Sequence, residues 1–385
     1  MEKVYKLKSI EIKGFRRLFS VNIDINPFMV FIGSNGAGKT SLLDIFELLS
    51  ASVTGKLSET LSKWGGVSRL LTRNKSEFIN IILRIEASGQ PALEYSLQLE
   101  PQGSGYLISQ ERLFQLDNEK SNSYSYIEAS AGKVYYYNAA SGILERPDWA
   151  YDPMETALSQ VPKRIHQAEM LRRLIAATTR YHNLDVGDRA PVKLPQMMKP
   201  AISPGSNGED LLPFLFCLRE GDKTRFDKVI DALNAAFPDF AELNFPPAAT
   251  GMLSMTWKDR NFTQPIYANE LSEGMLRFLW LTALLQNTEL SAITMIDEPE
   301  VSLHPELLDL LSQMMRETSA DTQMIVATHS DRFVRFLKPE EVYVMDINED
   351  GETVVTCASN LDLERWLSDY SLDEVWQMGR LGGRA

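Results

Sequence analysis

Apolar residues gather along this chain into short runs that stop abruptly at glycine, acid or histidine. Pro27-Phe28-Met29-Val30-Phe31-Ile32 is one such run and predicts a buried strand. The period then changes. Thr40 to Ser50 (TSLLDIFELLS) sets Leu42, Leu43, Phe46 and Leu49 on one face of a helix. Two later runs, Ala292 to Ile296 and Met324 to Thr328, predict further buried strands, and LRFLWLTALL from Leu276 predicts an apolar helix. Phe78 to Ile85, Leu93 to Leu99 and Val134 to Tyr137 are strand-like runs divided by Gly, Ser and Asn turns. They predict a β-rich arm, with Tyr135, Tyr136 and Tyr137 as strand core and edge. Residues 150–240 read as mostly helical around a loop at Ile202 to Gly208, and Leu361 to Leu372 as an amphipathic helix. Trp366 and Trp376 are expected to be packed.

This order gives an α/β fold in three stretches. Residues 1–150 carry the first apolar strand and the β-rich arm, 151–249 a helical lobe, and 250–385 the later strands. Neither an internal repeat nor a low-complexity stretch is visible.

Chemistry enters where the runs end. Gly33-Ser34-Asn35-Gly36-Ala37-Gly38-Lys39-Thr40 fits the phosphate-loop pattern G-x-x-x-x-G-K-[ST] at every fixed position, between a strand and a helix. Glycines let backbone N–H groups approach phosphate, and the helix N-terminus adds a favourable dipole. Asn35, Gly36, Gly38, Lys39, Thr40 and Ser41 are the nucleotide-binding candidates. Lys39 reaches for the β- and γ-phosphates, and the Thr40 hydroxyl for Mg²⁺. The run to Ile296 ends in Asp297-Glu298, an acidic pair where phosphoryl transfer handles metal and water. Asp297 is the metal-side carboxylate and Glu298 the base or water-positioning group. His329 follows the other late strand as a γ-phosphate contact. Ser272 and Gly274 open the apolar helix and make either an ordinary cap or a second anion site.

The order phosphate loop, LSEG, acidic strand, histidine strand resembles the ABC-type ATPase heads of the SMC, RecF and Rad50 group. Leu271-Ser272-Glu273-Gly274 resembles the signature motif of that group, with Glu where transporters usually have Gly. Ile10 to Arg17 resembles its opening strand and GFR turn. Glu298 to Pro305 and the ending Glu374 to Gly383 resemble the stand-alone bacterial AAA family ATPases associated with phage defence.

The resemblance implies a P-loop NTPase with an ABC-type lobe, a mixed sheet with a β-rich arm, and a helical lobe. It implies an ATPase, with ATP and Mg²⁺ as cofactors. Such heads sandwich two ATP between two protomers. Ser272 and Gly274 would then contact the γ-phosphate in trans, His329 would sense it in cis, Asp297 would order Mg²⁺, and Glu298 would activate water. Gln160 is the candidate for the glutamine that these heads place near the metal, or else a surface glutamine. Arg16 and Arg17 are either phosphate contacts or a solvated basic pair. The resemblance also implies an effector partner, a nuclease or toxin supplied by a neighbouring gene.

Charge and composition narrow this. A net charge of −13 argues against a surface coated in phosphate contacts. It leaves room for a local path, and Lys163, Arg164, Arg172, Arg173, Arg180, Lys193 and Lys199 are either that path or solvated helix faces. Cys217 and Cys357 have no metal or redox spacing, which suits a reducing cytosol. Met1 to Lys8 carries no signal, and no run reaches membrane-spanning length. Sustained heptads and a C-x-x-C hook are missing, so no long coiled coil is expected. Three alternatives stand beside the regulatory ATPase. They are a RecF-like clamp that contacts DNA directly, a transporter motor, and a scaffold that binds ATP with little turnover.

Overall fold

The computed structural model describes residues 5–87, 89–116, 124–182 and 184–382. Met1 to Val4 and Gly383, which entered the reading above, lie outside them. The chain forms two compact units. The first takes residues up to Thr178 together with Tyr343–Asp362, and the second takes Thr179–Val342 with Leu363–Arg380. Residues 151–178 thus belong with the first unit.

An eight-stranded sheet dominates the first unit. Its strands are β1 (Tyr5–Phe15), β2 (Leu18–Asp24), β4 (Ile79–Ala87), β5 (Leu93–Gln102), β6 (Gly105–Gln115), β7 (Tyr124–Ser130), β8 (Lys133–Asn138) and β9 (Ile143–Glu145). They run in the order β2-β1-β4-β5-β6-β7-β8-β9. β1 and β2 close at the Phe15↔Leu18 pair, so Arg16 and Arg17 form the turn. Alternation along β5 buries Leu93, Tyr95, Leu97 and Leu99 on one face, as the period-two run expects. The strand β3 (Phe28–Ile32) is buried at every position and lies beside Val342–Ile347, which pairs antiparallel with Thr353–Cys357. A fully buried strand reads as a continuous apolar run, which is how FMVFI appears in the sequence.

The helix Lys39–Val53 follows the glycine turn and buries Leu42, Leu43, Phe46 and Leu49. Among the described residues it is the longest helix at 15 residues, short of a sustained coiled coil. No described helix is long and apolar enough to cross a membrane.

The strands Thr178–Tyr181 (of the second unit from Thr179 on), Ile293–Asp297 and Gln323–Ala327 lie side by side in that order. The last two are parallel, with Asp297 opposite Ala327, so their functional ends point the same way. The helix Glu273–Leu285 is buried at every position from Leu276 to Leu285. Such a helix is held by packing all round rather than by one stripe.

Two expectations change. Among the described residues of 150–240, α-helix is confined to His166–Ala176, Leu211–Gly221 and Lys223–Ala236. Between 184 and 210, Pro191, Pro195, Pro200 and Pro204 remove backbone donors, and the chain forms only a short 3₁₀ turn and a two-residue strand, Gln196–Met197. The tail is not one helix over 361–372. Glu364–Leu367 is a single turn, and a Ser371/Glu374 capping box starts a new helix at Leu372–Gln377. Trp376 is buried there, while Trp366 is half-buried, with its ring beside Tyr370 and under the Arg380 guanidinium.

Candidate nucleotide site

The phosphate loop joins β3 to the helix that begins at Lys39. Gly33 has φ 142, and a Cβ there would lie 2.1 Å from the Met345 carbonyl oxygen. Only glycine fits that approach. The Lys39 side chain is buried, and its ammonium donates to the carbonyl oxygens of Gly33 and, at 3.1 Å, Ser34. The loop therefore holds its cation over its own backbone. Asn35, Gly36 and Thr40 are exposed and Ser41 is half-buried. Thr353 Oγ1 donates to the Ala37 carbonyl at 2.7 Å and braces the loop from below. Arg16 pairs with Asp44 on the same helix.

The second unit carries the acidic strand end. Asp297 Oδ2 accepts from the Arg180 guanidinium at 2.7 Å, and His182 Nδ1 lies 3.7 Å away. Glu298 has φ 48, in the left-handed region. Its N–H donates to the Ala327 carbonyl at 2.8 Å, and its carbonyl accepts from Arg277 at 2.7 Å. The Glu298 carboxylate and His329 Nε2 stand 3.9 Å apart, both partly open to solvent. Below them Glu300 accepts from Thr328 Oγ1, and burial raises the Glu300 carboxyl above its ordinary range. Ser272 caps the apolar helix, its Oγ accepting from Met275 N at 3.3 Å. Glu273 accepts from Ser302 Oγ at 2.6 Å, and a Cβ on Gly274 would lie 2.6 Å from the Ser302 carbonyl oxygen. The start of this helix is thus seated on the loop that follows Asp297.

Residues 28–335 match the family described as AAA domain, putative AbiEii toxin, Type IV TA system. The chain belongs to this family. No curated protein matches it. Among solved structures it is similar to an SMC head bound to the C-winged helix domain of ScpA, with 15% identity, 94% of this chain and 99% of that chain covered, and a TM-score of 0.54. It is also similar to the Pyrococcus furiosus Smc head with an extended coiled coil bound to the C-terminal domain of ScpA, with 12% identity, coverages of 95% and 98%, and a TM-score of 0.53. A third is the Smc head with a coiled coil and joint from Pyrococcus yayanosii, at 10% identity, coverages of 95% and 99%, and a TM-score of 0.50. At these identities the likeness is one of fold, that of an ABC-type ATPase head.

Thr40 in the first unit and Asp297 in the second each carry an oxygen donor of the kind that suits Mg²⁺. Both offer hard oxygen, and Mg²⁺ is ordinarily bound by one or two carboxylates plus nucleotide phosphates rather than by an all-protein cage. Among the described residues no group of three or more His, Cys, Asp or Glu could hold a metal.

Gln160 is hydrogen-bonded within its own segment. Its Oε1 accepts from Asp152 N at 2.8 Å, and its Nε2 donates to the Asp152 carbonyl at 2.9 Å. The amide closes its own turn and takes no part in the mechanism proposed below.

The cations of 160–200 are largely committed as well. Arg172 and Arg173 pair with Glu169, Arg180 with Asp297, and Lys199 with Asp210. An open cationic surface lies elsewhere, in the first unit. A cavity of about 500 Å³ is lined by Arg16, Arg17, Arg69, Arg73 and Lys75, with Asp350 at its edge. Two strands and two helices lie between Arg17 and Arg69 in the sequence, so no local cluster announced them.

Proposed function

We propose that this family member is an ATP-binding and ATP-hydrolysing ABC-type ATPase that forms an ATP-sandwiched dimer. It regulates a partner effector, a nuclease or toxin, in anti-phage defence or nucleic-acid surveillance. The phosphate loop carries this reading, with Lys39 buried and its ammonium held at the Gly33 and Ser34 carbonyls. The family description, which names the matched domain itself as a toxin of a type IV toxin–antitoxin system, supports a role in a two-component system.

The chemistry follows from the residues. Exchanging its carbonyl partners for phosphate oxygens, Lys39 neutralises the β- and γ-phosphates. Thr40 and Asp297 would hold Mg²⁺, which when bound screens the phosphate charge that builds during transfer. Glu298 orients the attacking water and takes its proton, and His329 meets the γ-phosphate. Ser272 and Gly274 complete the site from the second protomer, so turnover waits for dimerisation.

Three variants test the reading. Lys39→Ala should lose ATP binding by calorimetry. Glu298→Gln should bind ATP with turnover reduced about 100-fold or more. Ser272→Arg should bind ATP as a monomer and fail to dimerise on ATP in light scattering. Wild-type ATP affinity in the first, undiminished turnover in the second, or normal dimerisation in the third removes the corresponding part. Capture of tagged Glu298→Gln from its host should recover a nuclease or toxin-like protein. Recovery of DNA with repair proteins and no effector favours a second reading, a RecF-like clamp. The cationic cavity of the first unit supports that reading.

A further inference from the structure

Arg277 is the most deeply buried cation of the second unit, at 1% exposure. A guanidinium is seldom buried without a task, because its desolvation must be met by partners. Here it faces the carboxylates of Glu300, Glu273 and Glu298. Its Nη2 donates to a main-chain atom, the Glu298 carbonyl oxygen, at 2.7 Å. That carbonyl belongs to a residue in the left-handed region, at φ 48. A glutamate keeps such a backbone only where surrounding contacts over-determine it.

A second tie runs beside the first. Ser302, at φ 63, is the other left-handed residue of the loop, and Glu273 accepts from its hydroxyl at 2.6 Å. Its carbonyl oxygen presses on Gly274, leaving no space for a Cβ. Both strained residues of loop 298–302 are therefore held by the helix that starts at Glu273.

We propose that Arg277 is a positioning residue for hydrolysis, fixing the Glu298 backbone so that its carboxylate faces outward, and coupling that carboxylate to the LSEG end of its own helix. This rests on the ATPase reading. A disturbance at Ser272 and Gly274, where a second protomer's nucleotide is expected, would reach Glu298 through one helical turn and one hydrogen bond. The trans half-site would then set the readiness of the cis carboxylate within the same chain.

Arg277→Gln and Arg277→Lys test this with ATP affinity, turnover and thermal midpoint measured together. The Gln variant should hold ATP within about twofold of wild type, while kcat falls about tenfold or more. Lysine, which keeps the charge and one donor, should recover part of kcat. Unchanged kcat in a folded Gln variant overturns the proposal. So does a kcat loss that lysine does not recover and that tracks the thermal midpoint, since packing alone explains that pattern. If Arg277→Gln does not fold, Arg277→Gln with Glu300→Gln removes cation and buried carboxyl together and carries the same expectation. Failure of both to fold assigns Arg277 to the core and ends the proposal. Absence of turnover in the wild type marks failure of the ATPase reading itself, whereas full turnover by Glu298→Gln removes Glu298 from the chemistry, and Arg277 loses its role with it.

Discussion

A methyl group at Gly33 would lie 2.1 Å from the Met345 carbonyl oxygen, on a backbone at φ 142 that alanine rarely adopts. Gly33→Ala should therefore push the loop off its strand. The expected cost is about 2–4 kcal/mol in stability, with ATP affinity falling at least about tenfold. Calorimetric titration with a thermal melt checks both, and normal affinity would show that the loop tolerates the shift. Gly33 and Lys39 were legible because the phosphate-loop spacing is local and each position has a fixed duty. The strand-end position of Asp297-Glu298 was legible for the same reason. Arg180 and Arg277 were not. Arg180 reaches Asp297 across 117 positions and Arg277 reaches Glu298 across 21, and no local pattern specifies such partners. Gln160 bonds back to Asp152, a pairing that its local sequence also does not specify.

At the scale of elements, the segment Asp152 to Gln160 links the β-rich arm to the phosphate-loop helix. Glu111 on β6 accepts from Ala157 N at 2.6 Å, Leu158 N at 2.8 Å and the Tyr95 hydroxyl at 3.0 Å. Tyr136 on β8 donates to the Ala157 carbonyl, and Thr156 donates to the Ser52 carbonyl on the helix. Burial pushes the Glu111 carboxyl up to about 7, against its three donors. The folded chain thus holds this proton more tightly than the unfolded chain. The stability it contributes is full below the ordinary glutamate value and is lost as pH rises through about 7, to the extent of about 3 kcal/mol. The gap in thermal midpoint between wild type and Glu111→Gln should accordingly narrow between about pH 5 and about pH 8. A constant gap would mean that Glu111 stays ionised when folded. The strands of the arm were readable because burial follows their period of two. The 184–210 stretch was not, because its prolines mark interruptions without saying which path the chain takes.

Over the whole molecule, charge is unevenly spent. The chain carries −13, yet Arg17, Arg69 and Arg73 line one cavity with no carboxylate within ion-pair reach among the described residues. Clustered like charges repel, so an anion there gains more than one at a scattered cation. If the clamp reading holds, Arg69→Glu with Arg73→Glu should weaken duplex DNA binding and lower the salt slope by about 2. A slope equal to wild type would clear the cavity of that role. The first unit is also assembled from distant parts of the sequence. β3 lies beside Val342–Ile347, Met345 closes on Gly33, and Thr353 braces Ala37. A growing chain on the ribosome would thus present the wholly apolar FMVFI long before this neighbour exists. Some 310 residues separate Ile32 from Val342 (342 − 32), roughly 15 to 60 s of synthesis at about 5–20 residues per second. During that interval the nucleotide loop has no floor, and the nascent protein depends on whatever shields its most apolar strand.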